Sequence, residues 1–98
     1  MARFDVYRDA RGRLLLDVQT DLLPDLVTRL VVPLLPVEAV PSPMKRLQPI
    51  FAFDGRSYVM ATQLMAAVPV RSMGRPLGSL DERYDQIKAA IDMVFNGF

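Results

Sequence analysis

The dipeptide Asp54-Gly55 constrains this chain more than any other pair of residues. Asp and Gly both tolerate the positive φ angles of a type I′ turn, whose twist matches that of two antiparallel strands. The flanks fit that reading: Ile50-Phe51-Ala52-Phe53 precedes the pair and Arg56-Ser57-Tyr58-Val59-Met60 follows it. A two-residue loop then sets Phe53 opposite Arg56 and Phe51 opposite Tyr58. An aromatic cross-strand pair of this kind contributes roughly 0.2–1 kcal/mol over an alanine pair.

The neighbouring segments extend the β pattern. Phe4-Asp5-Val6-Tyr7 alternates as a first strand, and Asp9-Ala10-Arg11-Gly12 carries turn chemistry. Leu14, Leu16 and Val18 share one face of a second strand, with Asp17 and Gln19 pointing the other way. Residues 21–25 form a loop that includes Pro24. Thr28 to Leu35 suits a third strand, which must bend, bulge or lie at an edge at Pro33, because proline cannot donate to a ladder. Pro36, Pro41 and Pro43 preclude a regular helix or central strand and leave an ordered crossover. Thr62 to Ala67 is ambiguous between strand and helix. Val68-Pro69-Val70 reads as a short edge strand, and Met73 to Gly78 as a turn-rich connection.

One helix follows. Ser79 with Glu82 fits a capping box, and Asp81, Glu82 and Asp85 suit the positive end of the helix dipole. Tyr84, Ile87, Ile91 and either Val94 or Phe95 recur at helical spacing, and Asn96-Gly97 supplies a left-handed stop. The expected fold class is therefore mainly β: a small antiparallel barrel with a C-terminal α-helix packed on it.

At 98 residues the chain is expected to be a single domain spanning 1–98. It has no His and no Cys, which removes the usual general base, thiol chemistry and the commonest metal ligands. No cofactor, metal or catalytic role is expected. The net charge of +1 provides no broad cationic field for sequence-specific nucleic-acid binding. The longest apolar run, Leu30 to Val37, is broken by Pro33 and Pro36 and falls short of a membrane span. The first residues lack the apolar core of a signal peptide, so a cytoplasmic location is expected.

Four further groupings have ordinary readings beside sharper ones. The acid pairs Asp17/Asp21 and Asp81/Asp85 could hold a cation, although the second is what a helix start normally carries. Arg13, Arg29, Thr28 and Glu38 could be assembled into a His-free ribonuclease site, with nothing specific in their spacing. Met44, Met60, Met65, Met73 and Met93 suit core packing or an adaptable contact between two copies. Phe95 and Phe98, at the very end, are read as buried against the barrel or a partner, or offered to a target, with an interface favoured over simple core burial.

Taken together, several segments resemble the CcdB family, toxins of bacterial toxin–antitoxin systems. They are Phe4-Asp5-Val6-Tyr7, Leu16-Asp17-Val18-Gln19-Thr20-Asp21-Leu22-Leu23, Arg29-Leu30-Val31-Val32-Pro33-Leu34 and Leu47-Gln48-Pro49-Ile50. Met65-Ala66-Ala67-Val68-Pro69-Val70 and Ile91-Asp92-Met93-Val94-Phe95-Asn96-Gly97-Phe98 complete the set. The resemblance implies the CcdB/MazF-like toxin fold: an SH3-like barrel with a small extra sheet and a long C-terminal helix. It implies a homodimer that binds the A subunit of DNA gyrase and traps the cleaved-DNA complex without making or breaking a bond. A cognate antitoxin with a disordered C-terminal tail would neutralise it. Matched position by position, gyrase contacts fall on Asp21, Leu22, Leu23, Phe95, Asn96, Gly97 and Phe98, with the loop and the chain end near one another. Dimer contacts fall on Val68, Pro69, Val70, Met93 and Phe98. Well-known members carry Trp where this chain has Asn96, so a cation–π contact of about 0.5–2 kcal/mol has no counterpart here. That departure leaves open a CcdB-like dimer that binds antitoxin but has lost or altered gyrase poisoning. An RNA-cleaving relative of the same fold is the third reading.

Overall fold

The computed structural model describes residues 2–23 and 25–97. Among them seven strands form one antiparallel sheet: β1 (Asp5–Arg8), β2 (Leu14–Asp17), β3 (Thr28–Pro36), β4 (Ile50–Phe53), β5 (Arg56–Met60), β6 (Ala66–Pro69) and β7 (Gly78–Ser79). The helix α1 (Tyr84–Asn96) follows. Strand order is β4-β5-β3-β2-β1-β7, with β6 also paired to β3. The β4–β5 hairpin has the expected register, Phe51 opposite Tyr58 and Phe53 opposite Arg56. Its turn residues Asp54 and Gly55 have φ of 52° and 80°.

Proline 33 marks the place where β3 changes partners. Thr28–Val31 pairs with β6, and Leu34–Pro36 pairs with β5. Pro33 falls in the gap between them. Its carbonyl accepts the Ala61 N–H at 3.0 Å, and having no N–H it leaves no donor unmet. The strand order ends at β4 on one side and β7 on the other, yet the sheet curls until the two meet. A Cβ on Gly78 would lie 2.9 Å from the Phe53 ring, so only glycine lets them approach this closely. The result is a half-barrel.

Curling buries both faces of β2. Leu14, Leu16 and Val18 join the main core with Phe4, Val32, Phe51 and Met60, closed by Ile87 and Ala90 from α1. Leu15 enters a second cluster with Tyr7, Val31 and Met73. Asp17 and Gln19 do face away from Leu16, as the alternation requires, but both are buried rather than solvated. The first strand starts one residue later than its alternation suggests, and Phe4 takes a φ of 71°. Val70 leaves β6 for a short turn. The ambiguous segment 62–67 divides into a 3-10 turn, Thr62–Leu64, and the start of β6. Gly78, expected as the end of a connection, and Ser79, expected to cap the helix, form a short strand paired to β1.

The helix departs from expectation at both ends. The Leu80 N–H donates to the Phe4 carbonyl at 2.9 Å, seating Leu80 in the core. This pulls the chain round early, so Ser79 Oγ accepts the Asp81 N–H (3.0 Å) in place of the Glu82 N–H of a capping box. A 3-10 turn, Asp81–Arg83, precedes α1. At the far end Gly97 takes a φ of 79° and donates to the Met93 carbonyl at 2.9 Å, as Asn96-Gly97 predicts. Val94 and Phe95 do not continue the buried stripe: both are exposed. No helix among the described residues is long and apolar enough to cross a membrane.

Candidate functional site

Between β2 and β3 the chain makes a loop whose tip is apolar and solvated. Leu22 is 87% exposed and Val27 82%, and Leu23 and Leu26 are about half exposed. Beneath the tip lies a polar frame. Asp17 ends β2 and Arg29 opens β3, so their side chains join the two stems of the loop. Arg29 Nε donates to Asp17 Oδ2 at 2.8 Å, and Nη2 lies 2.7 Å from the same oxygen. Asp17 Oδ1 accepts the Gln19 N–H at 3.0 Å. Burial pushes the Asp17 carboxyl above the usual carboxylate range, an effect partly offset by Arg29 and the Gln19 N–H. The Tyr7 hydroxyl, also buried, is raised by the same loss of solvation and by the nearby carboxylates of Asp5 and Asp17.

Gln19 continues the frame into the loop. Its Oε1 accepts the Leu30 N–H at 3.2 Å, and its Nε2 donates to the Leu23 carbonyl at 3.1 Å. Asp21 sits 3.8 Å from Arg29 Nη2 and accepts the Arg3 N–H at 2.8 Å. The Arg3 guanidinium in turn stacks 4.7 Å from the Phe4 ring and 5.5 Å from the Tyr84 ring. The loop is therefore tied to the beginning of α1. Asn96 stands twelve residues further on, about 18 Å by helical rise. Among the described residues no hydrogen bond or ion pair joins the loop to residues 94–97. The expected adjacency of the two stretches thus has no direct bond behind it within one chain.

At the helix end Phe95 is 67% exposed, and Asn96 and Gly97 lie beside it in solvent. Phe98, expected in both the gyrase and the dimer contacts, lies outside the described residues. Of the expected dimer positions, Val68 is half-buried against the second cluster and Pro69 closes β6 opposite Thr28. Val70 donates to the Val27 carbonyl at 2.9 Å, which ties this segment to the apolar loop. Met93 is half-buried on α1. A cavity of about 400 Å³ opens beside β6, with Leu15, Val31, Pro33 and Val68 on its floor and Asp9 and Arg13 at its rim.

The residues assembled for a nuclease do not gather within one chain. Arg29 is committed to Asp17, and Arg13 Nε is bonded to Asp9 at 2.8 Å. Thr28 is the first residue of β3 and the exposed Glu38 lies past its other end, the strand being up to about 26 Å long at its usual rise. The Asp17/Asp21 pair is likewise engaged, by Arg29 and Arg3. Among the described residues no three His, Cys, Asp or Glu side chains are grouped to hold a metal. Sequence reasoning missed Gln19. The available signal was two polar residues, Asp17 and Gln19, in a segment whose neighbours are apolar on both sides.

Two comparisons bear on this geometry. The CcdB protein family matches residues 3–97 of the chain. A solved structure described as an endoribonuclease from Mycobacterial species superposes with a TM-score of 0.79 at 16% identity, covering 97% of this chain and 90% of that one. At that identity the likeness shows the fold: a mainly β, curled antiparallel sheet with one C-terminal helix.

Proposed function

The chain belongs to the CcdB family, toxins of toxin–antitoxin systems, and from that premise we propose that it poisons DNA gyrase by docking on its A subunit. The observation that carries the reading is the solvated apolar tip Leu22-Leu23, with Phe95 at the helix end. Large apolar groups left in water on so small a protein mark a surface meant for a partner. Docking to one conformer of a moving enzyme requires no chemistry from the toxin, because differential affinity for that conformer is enough to trap it. In this reading two copies associate through Val68, Pro69, Val70 and Met93, and an antitoxin tail folds over the dimer to release gyrase.

The test is a cleavage-complex assay with purified chain, gyrase and supercoiled DNA. Linear DNA accumulating after detergent and protease treatment is the expected result. Uncut DNA at saturating chain overturns the proposal. A second reading is favoured by Asn96, whose exposed amide offers no π face at the helix end: the dimer and antitoxin binding are kept, and gyrase poisoning is lost or altered. Asn96→Trp then creates or strengthens poisoning. Unchanged cleavage in that variant removes the stacking argument. Ribonuclease activity that is abolished by Arg13→Ala would favour the RNA-cleaving reading instead.

A further inference from the structure

The apolar tip is held from within, and one side chain does most of the holding. Within the loop, the Leu22 N–H donates to Thr20 Oγ1 (3.3 Å) and the Leu23 N–H to the Thr20 carbonyl (3.4 Å). Both bonds are long and exposed, and by themselves they would not keep four apolar side chains in one arrangement. Gln19 supplies what they lack. Its carboxamide is buried between the stems, accepting from Leu30 on β3 and donating to the Leu23 carbonyl at the base of the tip. The backbone of Gln19 is itself clamped, its N–H on Asp17 and its carbonyl facing Arg29.

We propose that Gln19 is the positioning residue of this surface: its carboxamide braces the tip so that Leu22, Leu23, Leu26 and Val27 are presented preformed to an apolar cleft on a protein partner. The inference rests on the reading that this loop docks. The nature of the partner follows from the charges. The described residues of the tip carry Asp21 and Asp25 and no Lys or Arg, so a phosphate backbone would be repelled, while an apolar cleft with basic groups at its rim is complementary. Preforming matters because an unbraced loop must be ordered at the moment of binding, which lowers affinity.

Two variants of the full chain separate the brace from mere folding. Gln19→Met keeps the volume and loses both bonds. Gln19→Glu keeps the acceptor for Leu30 and loses the donor to Leu23. Amide hydrogen exchange on the free protein reads the loop, and binding to isolated gyrase A subunit reads docking. In both variants the Leu22 and Leu23 amides are expected to exchange about tenfold faster and affinity to fall about tenfold. In Gln19→Glu the Leu30 amide stays protected, which shows that the stem is intact. If Gln19 only stabilised the fold, Gln19→Glu would leave the Leu22 and Leu23 amides at wild-type rates, and that result overturns the proposal. If wild-type chain fails to bind the A subunit, the gyrase reading falls, and the exchange rates still decide the brace: faster loop exchange upholds it and unchanged exchange sinks it.

Discussion

The loop between β2 and β3 and the last turn of α1 both hold large apolar side chains in solvent, but they are supported in opposite ways. The helix end needs no side chain for its backbone. Its carbonyls are met along the helix as far as Met93, which accepts from the N–H of Gly97 in the left-handed region. The loop has no such ladder. Its order comes from Asp17, Gln19 and Arg29, which reach it from inside the molecule. The difference teaches that the loop's shape is coupled to the core, whereas the helix end stands on local backbone geometry. Damage to the frame should therefore affect stability and docking together. Loss of the exposed apolar side chains at the helix end should affect docking alone.

The largest expected effect comes from cutting the frame at its base. Arg29→Met leaves the buried Asp17 without its partner and should cost about 3–5 kcal/mol in urea unfolding. Asp17→Asn combined with Arg29→Met should recover most of that loss, since a buried pair replaced as a unit is far less costly than one broken. A single variant of wild-type stability would break the comparison outright.

Next come the tips themselves. Leu22→Asp and Phe95→Asp alter exposed side chains, so each should stay within about 0.5 kcal/mol of wild-type stability. Each should still weaken binding to gyrase A subunit by tenfold or more, read by calorimetry. A stable variant that binds normally would remove its residue from the docking surface. Smaller again is Gly97→Ala. It places a Cβ at a φ of 79° with nothing within 4 Å, so only backbone strain opposes it. About 1 kcal/mol is expected, with faster amide exchange confined to the last turn of α1.

The smallest effect separates two carboxylates, Asp17 and Asp9, by pH. Asp17 is raised above its ordinary 3.8, chiefly by burial. At Asp9 burial also pushes upward and is the largest single influence, but the hydrogen bonds from the Arg13 and Arg11 N–H groups and the Arg13 side chain together outweigh it, so it is lowered from 3.8. The folded chain holds the Asp17 proton more tightly than the unfolded chain does. Its contribution to stability is thus full below 3.8 and is lost as pH rises through the raised value. Asp9 acts in the opposite sense: its contribution is present above 3.8 and is lost as pH falls through the lowered value. Carboxyl-carbon NMR should show Asp17 protonating before Asp9 on acidification. The reverse order of titration would sink this picture.

Some of the molecule could be read directly from short-range chemistry. Asp54-Gly55 dictates its hairpin and register because two φ-positive residues between aromatic strands leave one favourable turn. Asn96-Gly97 dictates the helix stop for the same local reason. Pro33 announces a break in pairing, and the structure resolves it as a change of partner. Gln19 was not legible. Alternation places it opposite Leu16 correctly, but whether that opposite face meets water or protein depends on how far the sheet curls.

Residues a few positions apart settle among themselves the turn type, the helix stop and the alternation of faces, and segments spread along the whole chain carry the family. Tertiary structure alone decided which of the two faces of β2 would be dry, that Asp17 and Arg29 would meet across twelve residues, and that Gln19 would stand beneath an apolar tip. Those outcomes depend on the closure of the sheet, where Gly78 admits the Phe53 ring. Closure of that kind is a long-range packing event that no local window of residues encodes.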